Sequence, residues 1–462
     1  MQKTVERKLF GTDGVRWIVD KEDTSFPLRL AMAVASYFPT GSRALVGKDA
    51  RIGNNLVYNL VIAGLISAGT KVYDAGFIPT PALQYCVKEC GFDYGIVVTA
   101  SHNPPEWVGI KVVLSDGIEA PPEVDAEVES ILFETKFRRV SWYDLKPVER
   151  FDSAIDYYVN GVKKHFDGEK FKRKEIRVVV DCANSVSALT TPRVLKELGL
   201  KVLTINADIG LPYRPYEPTA ETLTDLMQVV KAVNADFGVA HDGDGDRAIF
   251  VDDQGRFVDG AISAIVLTNY VSEKNPSLPR RVVTAISTSH ILSDRYLIKN
   301  GIEVVWTRVG FLNIARKIVE LGGALSGFED NGGFAYVPHQ LVRDGTVSAA
   351  LMADMLVERG FKLSYIVDSI QKPAILRTKI PISNREEGVA IVEALKKYYS
   401  SHKIIDIDGI KVVMDNAAFL VRPSGTEPLM RITVESWDEA VSKRILSELL
   451  DKIEEIKKRL GR

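Results

Sequence analysis

Short, unbroken apolar runs alternate along this chain with longer segments in which apolar and polar residues mix at helical spacing. One such pattern occurs three times. The first copy begins at RALVGKDAR (43–51), where an apolar run gives way to a polar loop. A helical segment ends in SAGTKVYDAG (67–76), and a second one leads to YGIVVTASHNP (94–104). The second copy begins at IRVVVDCANS (176–185), passes ELGLKVLTINAD (197–208) and ends at DFGVAHDGDGDR (236–247). The third begins at RRVVTAISTS (280–289), passes KNGIEVVWTRVG (299–310) and ends at GALSGFEDNGG (323–333). Each copy reads strand, helix, Gly, strand, helix, strand.

Val/Ile runs bounded by Gly predict strands buried on both faces, and glycine just past a helix is the usual left-handed cap. Strands alternating with helices predict parallel α/β sheets, whose ligands bind beyond the carboxyl ends of the strands. The three copies end their last strands at Ser101, Asp242 and Glu329, so matching edges of three domains can face one cleft. From about residue 371 the pattern changes. The runs RTKIPI, IKVVM and RITVES accompany helical segments near 386–400 and 437–460, which predicts a small α+β domain. Its most distinctive loop is VRPSGTEP (421–428).

Composition narrows the class. At ~150 residues per domain, 462 residues make about three or four domains. A content of 46% hydrophobic and 26% charged residues is that of an ordinary globular protein. Fifty-nine basic residues face 61 acidic ones, net −2, which gives no reason to expect nucleic acid or an anionic membrane as partner. No apolar run approaches the ~20 residues of a membrane helix, and the N-terminus has no apolar signal core. Cys86, Cys90 and Cys182 are too few for a disulfide framework, and Cys86 and Cys90 read as two buried helical cysteines. The expectation is a cytoplasmic protein.

Four loops carry chemistry. VVTASHNP ends a buried strand on Ser101 and locks the turn with Pro104. Alone, this is an ordinary strand end with turn residues. DGDGDR places Asp242, Asp244 and Asp246 on one loop, with glycines that let the carboxylates converge. Such oxygens suit Mg²⁺ or Ca²⁺, and the bland alternative is a solvated acidic turn. An EF-hand is excluded, because its sixth and twelfth positions hold Arg247 and Asp253. RPSGTEP offers Arg422, Ser424, Gly425 and Thr426, with Arg431 nearby; guanidinium, hydroxyls and free N–H groups are what a phosphate dianion needs. GTDGVR (11–16) has the same flavour, with Arg16 as a phosphate contact. GFEDNGG puts Glu329 and Asn331 on a glycine-flanked loop suited to sugar hydroxyls. Lys111, in WVGIKVV, is read as a surface lysine unless a closed cleft beside cations lowers its pKa and makes it a general base. His241 and His290 lack metal-ligand spacing and are left as structural or exposed.

With TASHNP, DGDGDR and RPSGTEP in this order, the chain resembles the α-D-phosphohexomutase superfamily of phosphoglucomutases, phosphomannomutases and phosphoglucosamine mutases. The resemblance covers essentially the whole chain. It implies three similar α/β domains with mixed, largely parallel sheets, plus a smaller C-terminal α+β domain, around a central cleft. The implied divisions are 1–150, bearing a phosphoserine; 151–252, binding metal; 253–370, binding sugar; and 371–462, binding phosphate. Ser101 would be the phosphoryl carrier, with one Mg²⁺ on Asp242, Asp244, Asp246 and the Ser101 phosphate. Arg247 would sit beside the phosphoserine. Lys111 and His102 match positions of proton transfer and cleft electrostatics. Glu329 matches the sugar-reading residue. Arg422, Ser424, Gly425, Thr426 and Arg431 match the loop that grips the non-reacting phosphate.

The implied reaction interconverts 6-phospho and 1-phospho sugars through a bisphosphate. FGTDGVR and RPSGTEP look more like the phosphoglucosamine mutase branch, with broad hexose specificity as the alternative. The chain departs from the family pattern at Asn331–Gly333, where Ser-Gly-His is common, at Val108, usually Asn, and at NSVS (184–187), often NGAG. The partners implied are sugar phosphates, with a homodimer left open as the assembly. A non-catalytic sugar-phosphate binder predicts loss of Ser101 or of a metal-loop Asp, and all are intact. A phosphatase with an aspartyl nucleophile would need a DxDx[TV] run, which the chain lacks.

Overall fold

The computed structural model describes residues 8–424 and 428–460. Among them, strands form four sheets. The first holds β1 (Val15–Ile18), β2 (Arg43–Lys48), β3 (Lys71–Phe77), β4 (Tyr94–Val98), β5 (Trp107–Leu114) and β6 (Glu149–Arg150), in the order β1-β5-β4-β2-β3-β6. The second holds β7 (Arg177–Asp181), β8 (Lys201–Ile205), β9 (Phe237–Ala240), β10 (Ile249–Asp252) and β11 (Phe257–Val258), in the order β11-β10-β9-β7-β8. The third holds β12 (Arg281–Ala285), β13 (Glu303–Thr307), β14 (Ser326–Phe328) and β15 (Phe334–Tyr336), in the order β13-β12-β14-β15.

The repeated pattern thus becomes a repeated sheet. In each copy the first strand lies between the other two and pairs parallel with both. Each copy then adds a strand in the opposite direction: β5 on β4, β10 on β9, β15 on β14. The connections to these strands are too short to carry a crossover helix, so the chain must reverse. Serine, aspartate and glutamate loops are therefore hairpin tips at the carboxyl ends of equivalent strands.

The fourth sheet is antiparallel: β16 (Ala374–Pro381), β17 (Lys403–Ile405), β18 (Ile410–Val413), β19 (Ala417–Pro423) and β20 (Leu429–Ser436), in the order β16-β20-β19-β18-β17. Helices Arg385–Tyr398 and Glu439–Leu460 bury Ile391, Leu395, Leu449 and Ile453 against it. The phosphate loop is shorter than its sequence suggests, because β19 runs to Pro423 and β20 starts at Leu429.

The helix Gly345–Arg359 packs at the centre of the molecule, in one continuous apolar cluster with residues of the first three sheets. Cys86 is buried in the helix Thr80–Glu89, but Cys90 is half-buried at that helix's C-terminal cap rather than fully buried. His241 and His290 are both buried. No helix among the described residues is long and apolar enough to cross a membrane.

Candidate active site

After Val98 the chain leaves β4 and turns sharply at Ser101, whose φ is +52°. The left-handed region costs a non-glycine residue roughly 1–2 kcal/mol, so something must hold it there. Thr99 Oγ1 accepts the Ser101 N–H at 2.8 Å and donates to Asp49 Oδ2 at 2.5 Å. Beneath the loop lies buried Arg51. Its guanidinium donates to the carbonyls of Ser101 (2.5 Å), Asn103 (2.7 Å), Pro104 (2.5 Å) and Trp107 (3.2 Å), and its Nε to Asp49 (3.2 Å). One side chain thus ties down four consecutive features of the turn. Ser101 ends up 1% exposed, its Oγ donating to Asp242 Oδ2 at 2.8 Å.

Asp242, Asp244 and Asp246 lie on the β9–β10 tip, and one ligand oxygen from each can be chosen within 4.8 Å of the others. Glycines make this possible. A Cβ on Gly243 would stand 2.5 Å from the Ser101 carbonyl oxygen, so only glycine lets the two loops meet. Gly245 has φ +73°. Thr80 Oγ1 donates to Asp244 Oδ2 at 2.7 Å. Oδ1 of Asp244 and Oδ1 of Asp246 are buried and make no hydrogen bond among the described residues. Burial, with the neighbouring Asp244 and Asp242 and against Arg343, pushes Asp246 up to about 7. Burial and Asp244 also raise Asp242. Carboxylates crowded to this degree, with oxygens left unpaired, have the all-oxygen chemistry that a hard divalent cation satisfies.

Three cationic side chains and a histidine flank the cluster. Lys111, on β5, is 1% exposed and its Nζ lies 3.0 Å from Asp244, 3.1 Å from Asp13 and 3.5 Å from Asp246. The expected depression of its pKa by nearby cations is not found. Burial does act to lower it, but Asp13, Asp244 and Asp246 outweigh burial and hold the ammonium well above its usual value. Arg247 donates to Glu217 (2.9 Å) and to His102 Nδ1 (2.8 Å). That bond makes Nδ1 of His102 an acceptor and leaves the proton on Nε2, 3.7 Å from Glu217. Burial, then Arg247 and Arg16, press the imidazole down to about 2, so it is neutral. Arg16 pairs with Asp13 (2.5 Å) and donates to Asn103 (2.8 Å), beside the serine loop.

Glu329, on the β14–β15 tip, is buried and accepts from the Gly310 N–H at 3.2 Å. Asn331 turns its Oδ1 inward to the Gly333 N–H at 3.1 Å. Arg422 and Arg431 are direct cross-strand partners on β19 and β20. Burial lowers the Arg422 pKa, Asp408 at 3.5 Å opposes, and Arg431 lowers it again. Ser424 donates its N–H to Leu429 O at 2.8 Å at the base of the hairpin; Gly425 and Thr426 lie outside the described residues. Asp408 also accepts from the Val309 N–H at 3.5 Å, next to the Gly310 that holds Glu329. A run of contacts therefore links the β19–β20 hairpin to the β14–β15 tip.

Five residues of this neighbourhood were not singled out in the sequence: Asp13, which lies within GTDGVR, and Asp49, Arg51, Glu217 and Arg343. Arg343 precedes the central helix and reaches Asp246 at 2.7 Å. The only local sign was its place in VRDG, a charged pair just before a long apolar helical run.

The four domains of the phosphoglucomutase/phosphomannomutase family match this chain in order. Its α/β/α domains I, II and III match residues 7–139, 156–255 and 259–373, and its C-terminal domain matches 378–452. The chain is 45% identical over 451 residues to a phosphoglucosamine/phosphogalactosamine mutase of Sulfurisphaera tokodaii, covering 96% of this chain and 98% of that one. It is 37% identical over 455 residues to a phosphoglucomutase/phosphomannomutase of Thermococcus kodakarensis, covering 97% and 99%. In fold it is similar to the crystal structure of a phosphoglucomutase/phosphomannomutase family protein of Burkholderia thailandensis, with TM-score 0.84 and 22% identity over 96% of this chain and 97% of the other. The hairpin tips that converge on Ser101 thus sit on the family's own four-part frame, and the chain belongs to the phosphoglucomutase/phosphomannomutase family, a phosphohexomutase and hence an isomerase.

Proposed function

We propose that Ser101, in its phosphorylated form, is the phosphoryl carrier, and that Asp242, Asp244 and Asp246 hold one Mg²⁺ beside it. The observation that carries this is the 2.8 Å bond from Ser101 Oγ to Asp242, inside a cluster where Oδ1 of Asp244 and Oδ1 of Asp246 are buried without a hydrogen-bond partner among the described residues. The cation, when bound, offsets negative charge on the transferring group. Breaking the Oγ–P bond at Ser101 while a sugar hydroxyl gains the phosphoryl gives a sugar bisphosphate, the proton the hydroxyl loses being matched by one that Ser101 Oγ gains; the reverse step, from the other phosphate, reloads Ser101. Lys111 and Arg247, both charged, face the position where charge spreads over the transferring oxygens. In a loose transition state the hydroxyl proton leaves late, so charge and position matter more than a strong base. His102, neutral and bound to Arg247, orients that arginine rather than taking the proton. Glu329 accepts from sugar hydroxyls, and Arg422 with Arg431 grips the phosphate that is not reacting.

Hexosamine phosphates, glucosamine 6-phosphate and 1-phosphate first, are the favoured substrates. The 45% identical relative carries a phosphoglucosamine/phosphogalactosamine mutase name. Broad action on glucose and mannose phosphates is the second reading, and the name of the 37% identical relative favours it. A phosphopeptide map of active protein should find phosphate on Ser101, and Ser101→Ala should abolish turnover with folding intact. Excess EDTA should stop the reaction and Mg²⁺ restore it. A fully active Ser101→Ala protein would refute the carrier assignment. A comparison of kcat/KM across hexosamine and hexose phosphates decides between the two substrate readings.

A further inference from the structure

The side chain of Arg343 is 8% exposed, and its guanidinium faces carboxylates from three loops: Asp246 at 2.7 Å, Asp13 at 3.4 Å and Glu329 at 3.5 Å. Those loops extend from three different sheets. Its path is cleared by the sugar loop itself. A Cβ on Gly333 would stand 2.5 Å from Arg343 Cδ and 3.0 Å from Cγ, so the stem runs through space that only glycine leaves open. The guanidinium carbon lies 5.4 Å from the centre of the Phe311 ring.

The backbone on either side is equally fixed. Gln340 donates to Pro81 O at 3.2 Å, Asp344 accepts from Tyr158 Oη at 2.6 Å, and Thr346 meets Thr191 at 2.7 Å. A Cβ on Gly345 would stand 2.5 Å from Arg247 O. A rigid planar fork with several donors is thus held against three acids, which a lysine ammonium on a flexible stem cannot reproduce.

We propose that Arg343 is a positioning residue that couples sugar reading to metal loading. The inference rests on the reading above, in which Glu329 meets the sugar and the aspartate loop holds the cation. Nη1 steadies Oε2 of Glu329 for the sugar. Nη2 makes an ion pair with Oδ2 of Asp246 at 2.7 Å, while Oδ1 of Asp246 has no hydrogen-bond partner among the described residues and is left for the metal. Both tasks draw on one plane, so disturbing it changes both.

The test uses the full-length protein with Arg343→Lys, Gly333→Ala, Glu329→Gln and the Arg343→Lys/Glu329→Gln double variant. Mn²⁺ affinity is read by electron paramagnetic resonance without substrate. Sugar discrimination is read as the ratio of kcat/KM for glucosamine and glucose phosphates. Arg343→Lys should weaken Mn²⁺ binding about 10-fold or more and shift the sugar ratio, since a single ammonium cannot keep the ion pairs to Asp246, Asp13 and Glu329 together. In the Glu329→Gln background it should shift the ratio no further. Gly333→Ala, which keeps the charge and crowds the stem, should move both readouts the same way by less. If Arg343→Lys fails to fold by circular dichroism, Gly333→Ala decides alone. Unchanged Mn²⁺ affinity, an unchanged sugar ratio, or effects that multiply with Glu329→Gln overturn the coupling. A wild-type ratio in Glu329→Gln itself, or an active Ser101→Ala protein, instead overturns the underlying reading.

Discussion

His241 and Arg422 show how single side chains here can be weighed apart from the reaction they serve. Nδ1 of His241 donates to Arg247 O at 2.8 Å, while its buried Nε2 has no partner among the described residues. Burial presses the imidazole down to about 4. The unfolded chain therefore binds the extra proton first: the contribution is complete above pH 6.5 and is lost as pH falls toward 4. His241→Asn, whose amide can reproduce the bond to Arg247 O, should flatten that acid limb by on the order of 2 kcal/mol between pH 7 and 4. Urea denaturation of both proteins across this range measures it. Arg422→Ala should lower kcat/KM about 10- to 100-fold and alike for every sugar phosphate, if it grips phosphate as proposed. Glu329→Gln should lower it unequally; a reordered preference in the arginine variant alone would reverse the two assignments. At this scale the sequence was legible where chemistry needs neighbours in the chain, as in DGDGDR. It was silent on Glu217 and Arg343, whose partners lie far along the chain. It also misjudged Lys111, because the Asp13 carboxylate that helps hold it charged belongs to another loop.

Each hairpin tip depends on support from below, and the serine hairpin depends on Arg51 most. Arg51→Met should destabilise the protein by about 3–5 kcal/mol, because it leaves Asp49 buried without its partner. Four carbonyls of the turn lose their donor, so kcat should fall further than KM rises. Thermal unfolding and steady-state kinetics on the same preparation test both halves; a stable, fully active variant would contradict them. The strands and helices of the repeats were readable from apolar periodicity, but the short strand after the third tip, Phe334–Tyr336, was not. Strand direction was not, because a run such as WVGIKVV is equally apolar in either sense; only the length of the connection before it carries that information. In the C-terminal sheet β17 and β19 escaped notice, one for its three-residue length and one for its overlap with the phosphate motif.

Across the whole molecule, the C-terminal sheet is tied to the third by a few buried polar contacts. Glu435 on β20 accepts from Ser289 Oγ and from the His290 N–H at 2.7 Å, and Lys411 on β18 donates to Thr288 O at 2.6 Å. Glu435→Ala removes the acceptor on one side of this seam. The KM for sugar phosphate should rise severalfold with kcat less affected, and proteinase K, which has broad specificity, should cut sooner in the connection between the third and fourth sheets, just before β16. Equal protease lifetimes and an unchanged KM would show that the seam sets nothing. The four-part plan was legible in the threefold repeat and the altered tail, whereas these seams were not, since Glu435 and Lys411 sit in strands like any others. Asp13 and Arg343 meet across a separation of 330 residues. At ~5–20 residues per second, that distance corresponds to roughly 15–65 seconds of synthesis. A ribosome thus exposes the Asp13 loop, and soon afterwards the serine hairpin, well before the arginine that joins their neighbourhood has been translated. Until then an emerging chain holds the early loops of the centre without the late one, so full catalytic competence arrives only near the end of translation.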